Sequence, residues 1–262
     1  MERILKKTSF MAKKRAKLVM SGSGYGALTE QRKYSEHLEF VLESEPLKKW
    51  KHFFDTGILH QPSVEKIPDE FLIDRENLEF LIGTLDRENK ENWYAFYQAG
   101  LGCFQEEQYE KAKAFLGKSW EIKENPWACH GMACVCRLLK QDREAVQWVL
   151  QGLKLESKNV SFLKESLKLL FLCNANLEII DFVEHQNPEA RKIGKLAFYY
   201  ISALHRTGED KKAYELLEKD GGLVIDDIRE GEDSIAQLWS ELYEKLYAVK
   251  GRVPYRYDFK AF

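Results

Sequence analysis

Only six prolines interrupt these 262 residues, and no apolar stretch reaches the length of a membrane span. Near the start, Ile4, Leu5, Phe10 and Met11 are broken up by lysines, so no secretory h-region forms. Cysteine is also sparse. Cys103, Cys129, Cys134, Cys136 and Cys173 are an odd set placed in stretches of helical spacing, which excludes a disulfide framework and points to reduced thiols and a cytoplasmic setting. Few prolines beside abundant Leu, Lys, Glu and Ala leave helices as the dominant element. Net charge is −2, yet the first eighteen residues carry seven Lys or Arg against one Glu, so the remainder is acidic. A basic terminal helix can attract RNA or anionic lipid, but the plainer reading is a solvated face, and nucleic acid is not the expected partner.

Several motifs resemble chemistry without carrying it. Gly22, Gly24 and Gly26 are spaced G-x-G-x-G, with no second strand or acidic ribose partner following, so a nucleotide loop is not indicated. Ser21 and Ser23 lack a His or Asp in nucleophile geometry. Cys129, His130, Cys134 and Cys136 fall on two faces of one helix, Cys129 and Cys136 inward, and cannot converge on one ion. The acidic run Asp226, Asp227, Glu230, Glu232 and Asp233 has Arg229 within it and a capping position at its end, a structural pattern. No catalytic residue, metal ligand or cofactor is therefore expected.

Taken in order, residues 2–16 read as a basic helix and Thr29–Leu42 as a second helix. Leu47–Phe54 is a short aromatic helix stopped at Gly57. A loop bracketed by Pro62 and Pro68 follows, then a helix capped at Asp74. From Trp93 the pattern becomes periodic. Phe96, Ala99, Gly100 and Cys103 form one inward stripe, and Ala112, Leu116 and Ser119 a second, with Tyr109 at the turn between them. A marker at the start of each second helix falls at Ala112, Ala145, Ile179 and Ala213, intervals of 33, 34 and 34 residues. A first-helix marker at Gly100, Ala133, Leu167 and Ile201 keeps the same register.

With QYEKA, QDREA and GEDKKA at the turns, this period resembles the tetratricopeptide repeat (TPR) family. Repeat three departs, because Leu167 and Ile179 stand where small residues are usual, and its helices are expected to sit further apart or to tilt. The fold class is then all-α. The expectation is a TPR-like right-handed α-solenoid with an irregular helical region at 1–90, four repeats at 91–219, and a capping helix and tail at 220–262. Ser234 or Asp233 would cap the last helix, whose Leu238, Trp239, Leu242 and Leu246 share one face.

Three further stretches, SGSGYGAL, EHLEF with KKWKHFFDTG, and DIREGEDSIAQLW with a YDFK tail, flank the repeats in that order. Together they resemble the C-terminal region of bacterial tetratricopeptide proteins carrying domain of unknown function 5107 (DUF5107). His37-Leu38-Glu39-Phe40 and Tyr257-Asp258-Phe259-Lys260 are altered from the family pattern. The resemblance implies a stand-alone or truncated C-terminal half, without the family's N-terminal β-rich domain and its link to carbohydrate metabolism.

In a TPR array the first helix of each pair lines the concave face. That projection selects Tyr94, Tyr97, Trp127, His130, Arg137, Lys164, Lys168, Phe198, His205 and Arg206 as binding residues, aromatic at one end and basic at the other. Such a lining suits an acidic protein or peptide partner. Equally, the aromatics could pack under the front helices. The chaperone-tail carboxylate clamp is not expected, since Tyr97 and Leu101 occupy its Lys and Asn places. The function expected is a protein-interaction scaffold, not an enzyme on its own, docking an acidic protein or peptide or a β-rich carbohydrate-active domain. The alternative is the C-terminal half of a DUF5107-type carbohydrate-processing enzyme that completes a site with the β-rich domain.

Overall fold

Asparagine opens three of the four helical hairpins. Asn92 Oδ1 accepts from the N–H groups of Tyr94 and Ala95 (both 3.1 Å), Asn125 Oδ1 from Ala128 (2.7 Å) and Asn159 Oδ1 from Phe162 (3.0 Å). Each satisfies donors that the first turn of a helix leaves without partners. The fourth position in this register, Ile193, makes no side-chain cap. The computed structural model describes residues 45–68, 75–225 and 234–257, and among these every regular element is helical. Two compact units divide at Gly131 and Met132.

In the first unit, α1 (Glu45–Thr56) ends where Gly57, at φ 78°, donates its N–H to Phe53 O. Phe53 is fully buried and meets Phe80 of α2 (Arg75–Thr84) edge-on at 5.2 Å. The first hairpin pairs α3 (Trp93–Gln105) with α4 (Tyr109–Ile122). Its buried residues include all seven stripe residues expected from periodicity. The close approach between the two helices is at Gly100. A Cβ on Gly100 would lie 2.6 Å from Leu116 Cγ, so the missing side chain makes room for leucine. Leu116 is wedged again at Gly131, where a Cβ would lie 3.0 Å from its Cδ2. α5 (Pro126–Leu138) begins in this unit.

In the second unit, α6 (Asp142–Leu155) packs on α7 (Val160–Leu172), which packs on both α8 (Asn176–Asp181) and α9 (Gly194–Arg206). α8 is only six residues and runs into a π turn at Phe182–Gln186, then a 3-10 turn at Pro188–Lys192. The third hairpin thus has the shortest second helix of the four. The wider turn brings Phe182 and Val183 both into the core and leaves Glu184 to accept from Tyr200 Oη and Lys212 Nζ, each at 2.6 Å. α9 packs on α10 (Asp210–Glu218), and α11 (Ile235–Tyr247) lies against α10 and α9. Ser234 Oγ caps α11 by accepting from Gln237 N at 3.0 Å. Ile235, Leu238, Trp239 and Leu242 are buried, while Leu246 is exposed at the end of the stripe. Tyr257 folds back, its hydroxyl donating to Leu217 O (2.9 Å) and accepting from Leu223 N (3.2 Å).

Every hairpin turn has one geometry. Gln108 N bonds Cys103 O, Gln141 N bonds Cys136 O, Ala175 N bonds Leu170 O and Glu209 N bonds Leu204 O, at 2.8–2.9 Å. The residue before each donor is left-handed: Glu107, Lys140, Asn174 and Gly208. This is the Schellman closure, recurring at the interval found in the sequence.

Candidate functional site

The ten residues expected to bind fall into different environments. In the first unit Tyr94, Tyr97 and Trp127 are buried, each exposed by 8% or less. The segment after α1 is tied down beside them. Trp93 N donates to Gln61 Oε1 (3.0 Å) and Trp127 Nε1 to Val64 O (2.9 Å). Asn89 anchors its start, accepting from Leu59 N (2.9 Å) and donating to Gly57 O (2.6 Å) and Thr84 Oγ1 (2.7 Å). The strap therefore takes up the indole donor of Trp127. His130 is half-buried.

In the second unit Arg137 is half-buried and its guanidinium lies 3.6 Å from Asp142. Lys164, Lys168 and Phe171 succeed one another along one face of α7 and are half-buried. Phe198, His205 and Arg206 converge on a pocket of about 480 Å³ between the C-terminal end of α7, α9 and α11. Phe171 and Leu238 add to its apolar wall, and Glu241 and Lys245 reach it from α11. The rings of Phe171 and Phe198 lie 6.5 Å apart, and Phe198 is almost fully buried.

Arg206 is exposed at the pocket. Its guanidinium stacks 3.6 Å from the Phe171 ring centre, and Nη1 donates to Phe171 O (3.1 Å) and Asn174 Oδ1 (3.2 Å). Burial lowers its pKa, opposed by the charge of Glu241. Beside it, His205 Nδ1 lies 2.6 Å from Asp210 Oδ1, and Nε2 lies 3.5 Å from Glu241 Oε2. Lys245 Nζ sits 2.8 Å from the other Asp210 oxygen. For Asp210, desolvation favours the neutral acid, but the hydrogen bonds from Lys245 and His205 outweigh it and hold the carboxyl below its usual range. Ser202 lines the same pocket, but the His205 ring nitrogens face carboxylates, so the arrangement lacks an activated nucleophile.

A second cavity, about 570 Å³, lies between the 3-10 turn at Pro188–Lys192, α9 and α10, with Arg191, Tyr200 and Lys219 in its wall. Cys129 and Cys134 are raised to about 12 and about 11, chiefly by burial, and are held as thiols. Cys173 lies just past α7 as its cap residue, outside the helix expected to contain it. Among the described residues no group of three or more His, Cys, Asp or Glu side chains could hold a metal ion, and no helix is long and apolar enough to cross a membrane.

The basic start, the glycine motif, His37-Leu38-Glu39-Phe40, Asp74, the run 226–233 and residues 258–262 lie outside the described residues. No protein-family model matches the chain, and no curated protein or solved structure matches it.

Sequence reasoning missed the roles of Asn89 and the α11 charges. Phe171 had the right helical phase, and Glu241 and Lys245 one-turn spacing, but only tertiary packing joins them to Arg206. Asn92, Asn125 and Asn159 recur at the repeat period, a signal that was there to be read.

Proposed function

We propose that the four hairpins are TPR-like repeats of an α-solenoid and that the chain is a protein-interaction scaffold. Its binding surface is the first-helix face of the second unit. The supporting observation is the pocket floored by Phe171 and Phe198 and rimmed by Arg206, whose guanidinium has no carboxylate within ion-pair distance among the described residues. Lys164 and Lys168 continue the basic stripe along α7 toward it. An apolar floor beside preplaced cations is the composition of a binding hot spot for an acidic surface. The buried Tyr94, Tyr97 and Trp127 act as core residues of the first unit. The family resemblance names one such partner, a β-rich carbohydrate-active domain.

The test is affinity capture with the chain and with its Lys164→Glu/Lys168→Glu variant, followed by titration of the captured partner. Loss of the partner in the charge-reversed variant, with its helical circular dichroism unchanged, supports the scaffold. Equal affinity for both forms overturns it.

A further inference from the structure

We infer that the cavity between the 3-10 turn at Pro188–Lys192, α9 and α10 binds a small phosphate monoester, with its phosphate on Arg191 and Lys219 and its apolar body along Ile201, Leu216 and Leu223. This goes beyond the scaffold reading. The cavity shares α9 with the Arg206 pocket but no lining residue.

Two cations in the lining keep their donors. The guanidinium carbon of Arg191 lies 5.2 Å from the Tyr200 ring centre. Glu184, whose charge reaches Arg191, accepts instead from Tyr200 Oη and Lys212 Nζ. Lys219 comes in from just past the end of α10. Asp220 also lines the cavity, but among the described residues neither Arg191 nor Lys219 has a carboxylate within ion-pair distance. Lys192, beside Arg191, is already paired with Glu189 at 2.6 Å. A phosphate monoester carries about −1.5 to −2 charges at pH 7 and three acceptor oxygens, which matches two open cations of which one is a guanidinium fork. A monocarboxylate would leave one of the two unmatched.

Size and lining give the rest of the ligand. Ile201, Leu216 and Leu223 supply apolar wall, and about 570 Å³ is more than a bare phosphate fills, so the occupant carries a body that these side chains cover. The rim is set before any ligand arrives. Gly194 lets the neighbouring backbone close in, since a Cβ there would lie 1.9 Å from Val224 O. Leu223 N donates to Leu217 O (3.0 Å) and to the Tyr257 hydroxyl (3.2 Å). The Tyr200 ring is anchored through its bond to Glu184. A ligand therefore meets surfaces already in place, which lowers the ordering cost of binding. A phosphorylated loop of another chain would need room for its backbone to enter and leave, so the cavity suits a small molecule.

The probes are phenyl phosphate, inorganic phosphate, phenylsuccinate and a phosphoserine peptide, titrated into the full chain by calorimetry while the Ile201 and Leu216 methyl resonances are followed. Phenyl phosphate is expected to move both signals and to bind about tenfold or more tightly than inorganic phosphate, the size of covering part of one ring. Arg191→Gln and Lys219→Gln should each weaken it about tenfold, the size of one lost charge-assisted contact. Both side chains are exposed, so neither substitution disturbs the core. No binding of phenyl phosphate at millimolar concentration, equal binding of phenyl and inorganic phosphate, tighter binding of phenylsuccinate or of the phosphopeptide, or an affinity unchanged in either variant overturns the proposal. Lys164 and Lys168 lie outside this cavity. Failure of their capture test with a positive titration would remove the scaffold reading and leave the phosphate site standing, and the converse result would do the opposite.

Discussion

His205 Nδ1 and Asp210 Oδ1 meet at 2.6 Å across the turn between α9 and α10. The same two register positions are filled differently in other hairpins. Phe104 and Tyr109 pack edge-on with ring centres 5.9 Å apart, and Arg137 and Asp142 form an ion pair at 3.6 Å. One structural slot thus carries aromatic, ionic and imidazole–carboxylate contacts. The last also reaches the following helix, through Lys245 and Glu241.

That network sets a pH dependence. Asp210 has a folded pKa below its unfolded value, so its stabilisation is present above the unfolded pKa and lost as pH falls through the folded one. Asp210→Asn is expected to lower stability at pH 7 by about 1 kcal/mol, the scale of a partly buried charge-assisted pair. The gap should close as the pH drops into the acidic range. Urea denaturation of both forms between pH 7 and pH 3 measures it, and a gap that is constant over that range would contradict the assignment.

The turns make a prediction of the opposite sign. Glu107 (φ 57°) and Lys140 (φ 60°) occupy left-handed positions where repeat four uses Gly208 (φ 90°). A side chain there carries a steric cost of about 1 kcal/mol that glycine avoids. Glu107→Gly and Lys140→Gly should each raise the denaturation midpoint, and Gly208→Ala should lower it.

Asn89 is the hub of the strap. Its amide donates to Gly57 O and Thr84 Oγ1, and its carbonyl accepts from Leu59 N and from Asn92 Nδ2 at 3.2 Å. The side chain is 1% exposed, so Asn89→Ala strands buried backbone groups of the segment that follows α1. The expected cost is about 3 kcal/mol. Hydrogen exchange should show Leu59 N–H losing protection, and the Trp127 indole N–H, bonded to Val64 O, should exchange faster as the strap loosens.

By itself the sequence determined the helical character and the repeat register. Burial on a helix recurs with a fixed period, so Ala112, Ala145 and Ala213 mark it without any tertiary information. Gly57 and Ser234 were legible for the same local reason, since a left-handed stop and a hydroxyl cap act on their own backbone. Tertiary structure decided which exposed-looking residues are occupied. Trp127 projects onto the expected binding face, yet its indole donor is spent on Val64, a residue 63 positions earlier. Glu107 and Lys140 show no turn signal, because neither residue type prefers a left-handed backbone and only the packing of the paired helices holds them there. Arg206 was readable as a cation near the end of α9. Its stack on Phe171, and the hydrogen bonds that occupy Nη1, arise only when α7 and α9 come together, because a guanidinium's usefulness depends on which of its hydrogens the fold has already used.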